Sequence, residues 1–255
     1  MDGLPLQEER LMHRFYTETD QGPDGLVELS REDARHAVTV LRLKPGQHVE
    51  IVRNGSLWDA EIVTADVREV CARPVAVLPS REPVLSVTLF QGLPKADKMD
   101  LIVQKATELG VSRIVPLSME RCVVRLDPKD AARKTERWRK IAREAGKQSG
   151  RCVIPEIADP LPLKQLSRFP ALPDANIVPW EEARGYGPLS FCRDHAELTS
   201  LGILIGPEGG ITQEEINLLR DSGFIPLTLG KRILRTETAG LAAIAAFMGL
   251  YGEME

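Results

Sequence analysis

Two stretches hold the residue types from which a ligand site is built. The first is Leu204-Ile205-Gly206-Pro207-Glu208-Gly209-Gly210-Ile211-Thr212, an apolar segment that runs through a glycine-rich turn into a helix-starting sequence. Gly206, Gly209 and Gly210 permit close backbone approach and positive φ. Thr212 is placed as an N-cap and Glu215 as the acid of a capping box. A ligand at the carboxyl end of a strand would meet bare backbone donors there. The spacing is not Gly-x-Gly-x-x-Gly, and no Gly-Lys-Ser/Thr follows, which weighs against dinucleotide and P-loop chemistry. A tight strand-to-helix turn without a ligand is the plain alternative.

The second stretch is Leu229-Gly230-Lys231-Arg232-Ile233-Leu234-Arg235-Thr236-Glu237-Thr238-Ala239. A strand again ends in glycine, and Thr236 or Thr238 can cap the helix that follows. That helix is small-sided (Ala239, Gly240, Ala242, Ala243, Ala245, Ala246), so something packs closely on it. Arg235 and Glu237 are the charged groups best placed to face a ligand. A surface cap with an ion pair, worth little energetically, is the alternative.

The elements that must position these loops form an alternating series. Strands are expected over 84–91, 112–117, 152–155, 176–179, 201–205 and 226–229. Helices are expected over 98–109, 128–145, 212–221 and 237–251, with Met99, Ile102, Val103, Ala106 and Leu109 lining the first. Such alternation implies a parallel α/β sheet with helices on both faces. The first 80 residues read differently. Phe15-Tyr16 and 26–29 are short strands, and Ser30 caps a helix over 31–41 with Asp33 as its capping acid. Asn54-Gly55 turns a hairpin, 70–78 adds a strand, and the whole is a small barrel-like module. Pro79 to Pro83 is a linker, and a Pro-rich connection runs from Pro160 to Pro173. The expected domains are 1–79 and 80–255.

With 43% hydrophobic and 27% charged residues, the 255-residue chain is an ordinary globular one rather than a disordered, fibrous or coiled-coil one. No stretch is long and apolar enough for a membrane span, and the first residues lack an apolar signal core, so a cytoplasmic protein is expected. Cys71, Cys122, Cys152 and Cys192 lie far apart and form no Cys-x-x-Cys pair, and the four histidines are scattered; neither a disulfide frame nor a metal site is expected.

The net charge of −4 hides a basic middle. Residues 81–151 carry 16 Lys and Arg against nine Asp and Glu, while both flanks are acidic. The densest run is Lys129, Arg133, Lys134, Arg137, Arg139, Lys140, Arg143, Lys147 and Arg151, on a helix whose buried stripe is Trp138, Ile141, Ala142 and Ala145. Localised positive charge suits a phosphate-bearing partner, and a solvated helix face is the alternative.

Together the two loops resemble the ribosomal RNA small subunit methyltransferase E family of the SPOUT superfamily. Further matches are His13-Arg14-Phe15, His36 with Val40-Leu41-Arg42, Lys98-Met99 with the following QKATELGV, Glu120 to Val124, and the run around Trp138. The resemblance implies a PUA-like N-terminal RNA-binding β-barrel and a C-terminal domain with a deep trefoil knot. It implies S-adenosyl-L-methionine bound in bent form, a homodimer, and N3-methylation of one uridine in 16S rRNA. Carried over by residue, Leu204, Ile205, Gly206, Glu208, Gly209 and Gly210 match the first cofactor loop, and Leu229, Gly230, Leu234, Arg235 and Thr238 the second. Pro179 and Trp180 end the preceding strand at further cofactor positions, although Pro179-Trp180-Glu181 departs from the family's usual residues. On this basis Arg235 stabilises charge on a uracil oxygen, and Glu237 orients Arg235 or accepts the proton. Arg14, Lys95, Lys98, Arg121, Lys147 and Arg151 are candidates for RNA contact, and Gln148 for a site or dimer contact. Three alternatives stay open: a ribose 2′-O-methyltransferase, whose usual Asn and Arg pair is missing from Leu93 to Asp100; a non-catalytic RNA-binding assembly module; and a nucleotide-binding protein.

Overall fold

Strands β1 (Arg14–Tyr16), β2 (Val27–Glu28), β3 (His48–Arg53), β4 (Ser56–Ala65) and β5 (Val70–Leu78) form one sheet in the order β1-β3-β4-β5-β2. The structure is a computed structural model and describes residues 12–17, 22, 24–169 and 172–254. Most of the N-terminal segment read for an export signal, and residues 170–171 of the Pro-rich connection, therefore lie outside the described residues. Contacts divide the chain into two units, Met1–Arg81 and Glu82–Glu255.

In the first unit only the β1–β3 pair is parallel. Asn54 and Gly55 turn β3 into β4 at φ 49° and 74°, the paired positive angles of a two-residue hairpin turn. Register shifts between Asp59 and Ala60 and between Ile62 and Thr64 bend β4 against β5. The sheet curls into a half-barrel around Phe15, Val27, Val49, Ile51, Ile62 and Val70; among the described residues the ring is not closed, since β1 and β2 do not pair. Ser30 Oγ accepts from the Asp33 amide at 3.1 Å and starts helix α1 (Arg31–Arg35). The single helix expected over 31–41 is corrected here: from His36 to Val40 it widens to a π turn. The Thr39 hydroxyl donates to the Arg35 carbonyl at 2.6 Å, competing for the acceptor an α-helical turn would use.

The second unit is built of β6 (Ser86–Gly92), α2 (Lys98–Glu108), β7 (Arg113–Ser118), α3 (Pro128–Ser149), β8 (Glu156–Ile157), β9 (Leu161–Pro162), β10 (Ala175–Pro179), α4 (Pro188–Asp194), β11 (Ser200–Ile205), α5 (Gln213–Asp221), β12 (Phe224–Leu227) and α6 (Thr236–Leu250). Its strands pair in parallel in the order β12-β10-β11-β6-β7-β8, with β9 also on β7. Strands 177–178, 201–205 and 87–90 are buried almost throughout, as near-continuous apolar runs in a covered parallel sheet must be.

Helix α2 buries Met99, Ile102, Val103 and Ala106, while Leu109 is only partly buried. Helix α3 starts where the Asp127 side chain accepts from the Asp130 amide at 2.8 Å and Pro128 takes the first turn. It runs past the expected end at Ala145 to Ser149. Gly146 does not stop it: a side chain there would come within 2.4 Å of Ile154 Cδ1. Gly150, at φ 73°, is the left-handed terminator. Trp138 is buried and donates from Nε1 to Asp100 Oδ1 at 3.2 Å, which locks α3 onto α2. Three further expectations are corrected. The strand placed over 152–155 lies at 156–157, because Glu82 Oε1 takes the Cys152 and Val153 amides away from any ladder. The strand placed over 226–229 begins and ends two residues earlier. The short α4, with Pro188 at its start and Phe191 buried, was not anticipated.

Candidate active site

The carboxyl ends of β12, β10 and β11, neighbours in the sheet, open onto one cleft with two lobes, of 570 and 400 Å³. Pro179, Trp180, Glu181, Ile233, Leu234 and Ala239 line both lobes. The larger lobe adds Leu229 and Gly230 from the loop after β12, with Thr228, Lys231 and Arg232. The smaller adds Ile205 at the end of β11, Gly206, Glu208 and Gly210 from the loop after it, together with Lys98, Arg235 and Thr236. These volumes suit a drug-sized ligand, and the walls combine apolar surface with a few convergent polar groups.

The first loop keeps its shape because its glycines are crowded. A side chain on Gly206 would come within 2.6 Å of Ile211 Cγ1, and one on Gly209 within 2.8 Å of Arg121 Cβ and 3.1 Å of the Arg121 carbonyl. Gly210 sits at φ 75°. Thr212 and Glu215 form the capping box, at 3.2 and 3.1 Å. Glu215 also accepts the Glu120 amide at 2.8 Å, which ties the loop after β7 to the start of α5. Arg121 Nη1 donates to the Gly209 carbonyl at 3.0 Å and braces the glycine loop from the side.

The loops are joined by charge as well. Lys98 Nζ lies 2.9 Å from Glu208 Oε1 and 3.2 Å from Glu237 Oε2, and the Lys95 amide donates to Glu208 at 3.1 Å. Burial pushes the Glu208 carboxyl up, but Lys98 and nearby amides outweigh it and hold the group below its ordinary range. The amide of Glu237 itself works against burial and, with Lys98 and the charge of Arg235, holds that carboxyl low. Both carboxylates in turn raise the Lys98 ammonium above its ordinary value. Among the described residues the Arg235 guanidinium, exposed at the wall of the smaller lobe, has no hydrogen-bond or ion-pair partner.

Residues 80–248 match the RNA methyltransferase domain family and residues 29–75 the RNA methyltransferase PUA domain family. Ribosomal RNA small subunit methyltransferase E of Bacillus subtilis is 36% identical over 86% of this chain and 88% of its own length. The protein of that name from Aquifex aeolicus is 32% identical over 93% and 99%. The crystal structure of ribosomal RNA small subunit methyltransferase E from Neisseria gonorrhoeae bound to S-adenosyl methionine superposes with a TM-score of 0.76, at 33% identity, covering 96% of this chain and all of that one. The chain belongs to the ribosomal RNA small subunit methyltransferase E family.

Membership in that family sharpens the question of which expected site residues reach the cleft. Pro179, Trp180, Ile205, Gly206, Glu208, Gly210, Leu229, Gly230, Leu234 and Arg235 all line it. Four other expected residues stand off the cleft wall. The Leu204 side chain is fully buried in the core, because adjacent residues of a strand point to opposite faces and Ile205 takes the cleft side. Gly209 stands behind the wall, against Arg121. Thr238 is exposed off the wall; on a helix the residues at one wall recur every three or four positions, so Thr236 and Ala239 face the cleft instead. Arg151 is 7% exposed and donates to the Thr107 and Val111 carbonyls and to Glu82, so it makes the fold rather than meeting phosphate.

Of the other RNA candidates, Arg14 is held by Glu50 at 2.6 Å and Arg121 by the glycine loop. Lys95, Lys147 and Gln148 are exposed. On α3, Arg133, Arg137 and Arg139 pair with Asp130, Asp100 and Glu136. Neither Thr236 nor Thr238 caps α6; the N-cap is Arg235, with no side-chain bond. The residues missed from sequence are Glu181, Ile233 and Gln91. Ile233 carried the signal of lying inside the second loop, and Glu181 that of following Pro179 and Trp180 at a strand end. Gln91 is a polar residue, fully buried, at the end of an apolar strand.

Proposed function

We propose that this chain transfers the methyl group of S-adenosyl-L-methionine to N3 of a uridine in 16S rRNA of the small ribosomal subunit. One observation carries the reading: in a chain of this family, two backbone loops and the end of β10 wall a single two-lobed cleft, with the exposed guanidinium of Arg235 at one lobe. The residues fit the cofactor. Trp180, Leu229, Ile233 and Leu234 offer apolar walls for a flat base, and Ile233, 86% exposed, waits at the rim for a cover. Glu181 and Glu208 offer anionic groups to a cationic ligand. When bound, the cofactor supplies an electrophilic methyl group on a sulfonium.

The protein's part is position and electrostatics. Pro179, Ile205, Gly206, Gly210, Gly230 and Leu234 hold the cofactor. Arg235 stabilises the negative charge that a uracil oxygen gains as N3 loses its proton. Glu237 anchors Lys98, held low by its own amide and Lys98, and the N3 proton leaves to solvent as the methyl passes from sulfur to nitrogen. The base must be unstacked to enter.

Residues 1–79 serve as the PUA-like RNA-binding domain and 80–255 as the methyltransferase domain with the family's trefoil knot. Lys95, Lys147 and the basic face of α3 meet RNA phosphates. The enzyme works as a homodimer in the cytoplasm. The dimer is supported by α6, which is apolar all round yet leaves Ala242, Gly249 and Leu250 exposed. Among the described residues no helix is long and apolar enough to cross a membrane.

The test mixes the protein, methyl-labelled cofactor and small subunits lacking the modification, then digests the RNA. Label in 3-methyluridine supports the reading. Label in a ribose 2′-O-methyl group makes it a different methyltransferase, and failure to bind the cofactor makes it an assembly module.

A further inference from the structure

Gln91 ends β6 with its side chain fully buried, yet it is bonded to groups far along the chain. Its Nε2 donates to the Thr236 hydroxyl at 2.9 Å and to the Gly92 carbonyl at 3.0 Å. Thr236 Oγ1 in turn donates to the Gly206 carbonyl at 2.7 Å. The direction of this chain is fixed by chemistry. A carbonyl only accepts, so the one hydroxyl proton of Thr236 goes to Gly206, and Thr236 must receive its other bond from a donor. Only the amide nitrogen of Gln91 can supply it. Turning the amide over would set Oε1 against the Gly92 carbonyl and leave Thr236 without that donor.

The next residue completes the joint. A side chain on Gly92 would come within 2.7 Å of the Pro207 nitrogen and 2.8 Å of Pro207 Cδ, so the glycine loop rests directly on the end of β6. Gly240, one turn into α6, faces Gln91 from the other side; a Cβ there would lie 3.5 Å from Gln91 Oε1.

The geometry points to Gln91 and Thr236 as positioning residues that pin the two cleft loops to each other. The pin holds the last residue before the glycine turn, Gly206, at a fixed distance from the first residue after Arg235. It thereby sets where Arg235 stands relative to whatever the glycine loop grips. Gln91 is fully buried and meets no ligand; Thr236 lines the smaller lobe but spends its hydroxyl proton on Gly206, so its part in this scheme is position. The inference rests on the proposed cofactor site, and on nothing else about the reaction.

The experiment uses the full-length protein and follows cofactor Kd, kcat and melting temperature in Thr236→Val, Thr236→Ser and Gln91→Met. Thr236→Val keeps the shape and removes the hydroxyl; it is expected to weaken cofactor binding by about ten- to hundredfold, as for a buried carbonyl and amide left unpaired. Thr236→Ser, which restores the hydroxyl, brings Kd and kcat back towards the parent. Gln91→Met reproduces the loss, and Gln91→Met with Thr236→Val together cost little more than either alone, because one chain is cut twice. A merely structural bond would lower the melting temperature in all three pinless proteins and leave Kd and kcat of the folded molecules unchanged; that result overturns the pin, as does a Thr236→Ser protein no better than Thr236→Val. Should Thr236→Val fail to fold, Gln91→Met and Thr236→Ser make the same comparison. If the parent protein itself binds no cofactor, the proposed function has failed and not the pin.

Discussion

Lys98 opens α2 and reaches across to Glu208 in the glycine loop, Nζ to Oε1 at 2.9 Å, while its other contact is Glu237 in α6. One ammonium thus serves carboxylates of both cleft loops. The two acids are held below their ordinary 4.5. A depressed carboxylate contributes its pairing in full above its ordinary value and loses it as pH falls through the lowered one. The contribution of these pairs to folding stability is therefore expected to stay level from neutrality down to about pH 4.5 and to fall below it. In Lys98→Met the carboxylates lose their cation and their pKa values rise, so the acid fall begins at higher pH. Denaturant-measured stability across this range checks both statements; an unmoved acid limb in Lys98→Met removes the lysine from the arrangement.

The backing of the glycine loop gives a second expectation. Gly209→Ala forces its Cβ against the Cβ and carbonyl of Arg121, and such overpacking costs about 1–3 kcal/mol. The strain falls on the loop rather than on the sheet, so cofactor Kd rises by about five- to 150-fold while the circular dichroism spectrum stays that of the parent. Equal affinity in Gly209→Ala would show that the loop and Arg121 move apart freely.

Arg151 and Lys95 separate the two uses of positive charge. Arg151→Met removes the cation from Glu82 Oε2 and a donor from the Thr107 and Val111 carbonyls in a nearly closed site, at a cost of roughly 3–5 kcal/mol in denaturant-measured stability. RNA affinity of the folded fraction is expected to be unchanged. Lys95→Ala should do the reverse: unchanged stability, weaker RNA binding, and a salt dependence of log K shallower by about one. The amide of Lys95 still holds Glu208 in that variant.

Arg235→Ala tests the charge at the cleft wall. Loss of one such donor lowers kcat by about 10²–10³, and cofactor Kd is expected to change little, because the loops grip through backbone and apolar surface. A kcat within twofold or so of the parent would take Arg235 out of the chemistry.

The local features of this protein were legible in its residues. The Asn54-Gly55 turn, the capping box of Thr212 and Glu215, the buried stripe of α2 and the two cleft loops depend on neighbours within a few positions, and spacing encodes those. The trade of Thr238 for Thr236 and Ala239 at the wall follows from helical phase, which is known only once the helix start is known.

What tertiary structure alone decided are the partnerships. Arg151, read as a surface base at the end of a basic run, is turned inward to Glu82 by the left-handed Gly150 that ends α3. Lys98, read as a phosphate contact, is spent on two acids of the cleft. Gln91 and Thr236 stand 145 positions apart, and no pattern in either segment announces their bond. A side chain's type sets what it can donate or accept, and its sequence neighbours set the local turn. Which distant group it meets is fixed by the packing of the sheet, where burial makes an unpaired polar atom costly and so favours arrangements that pair most of them.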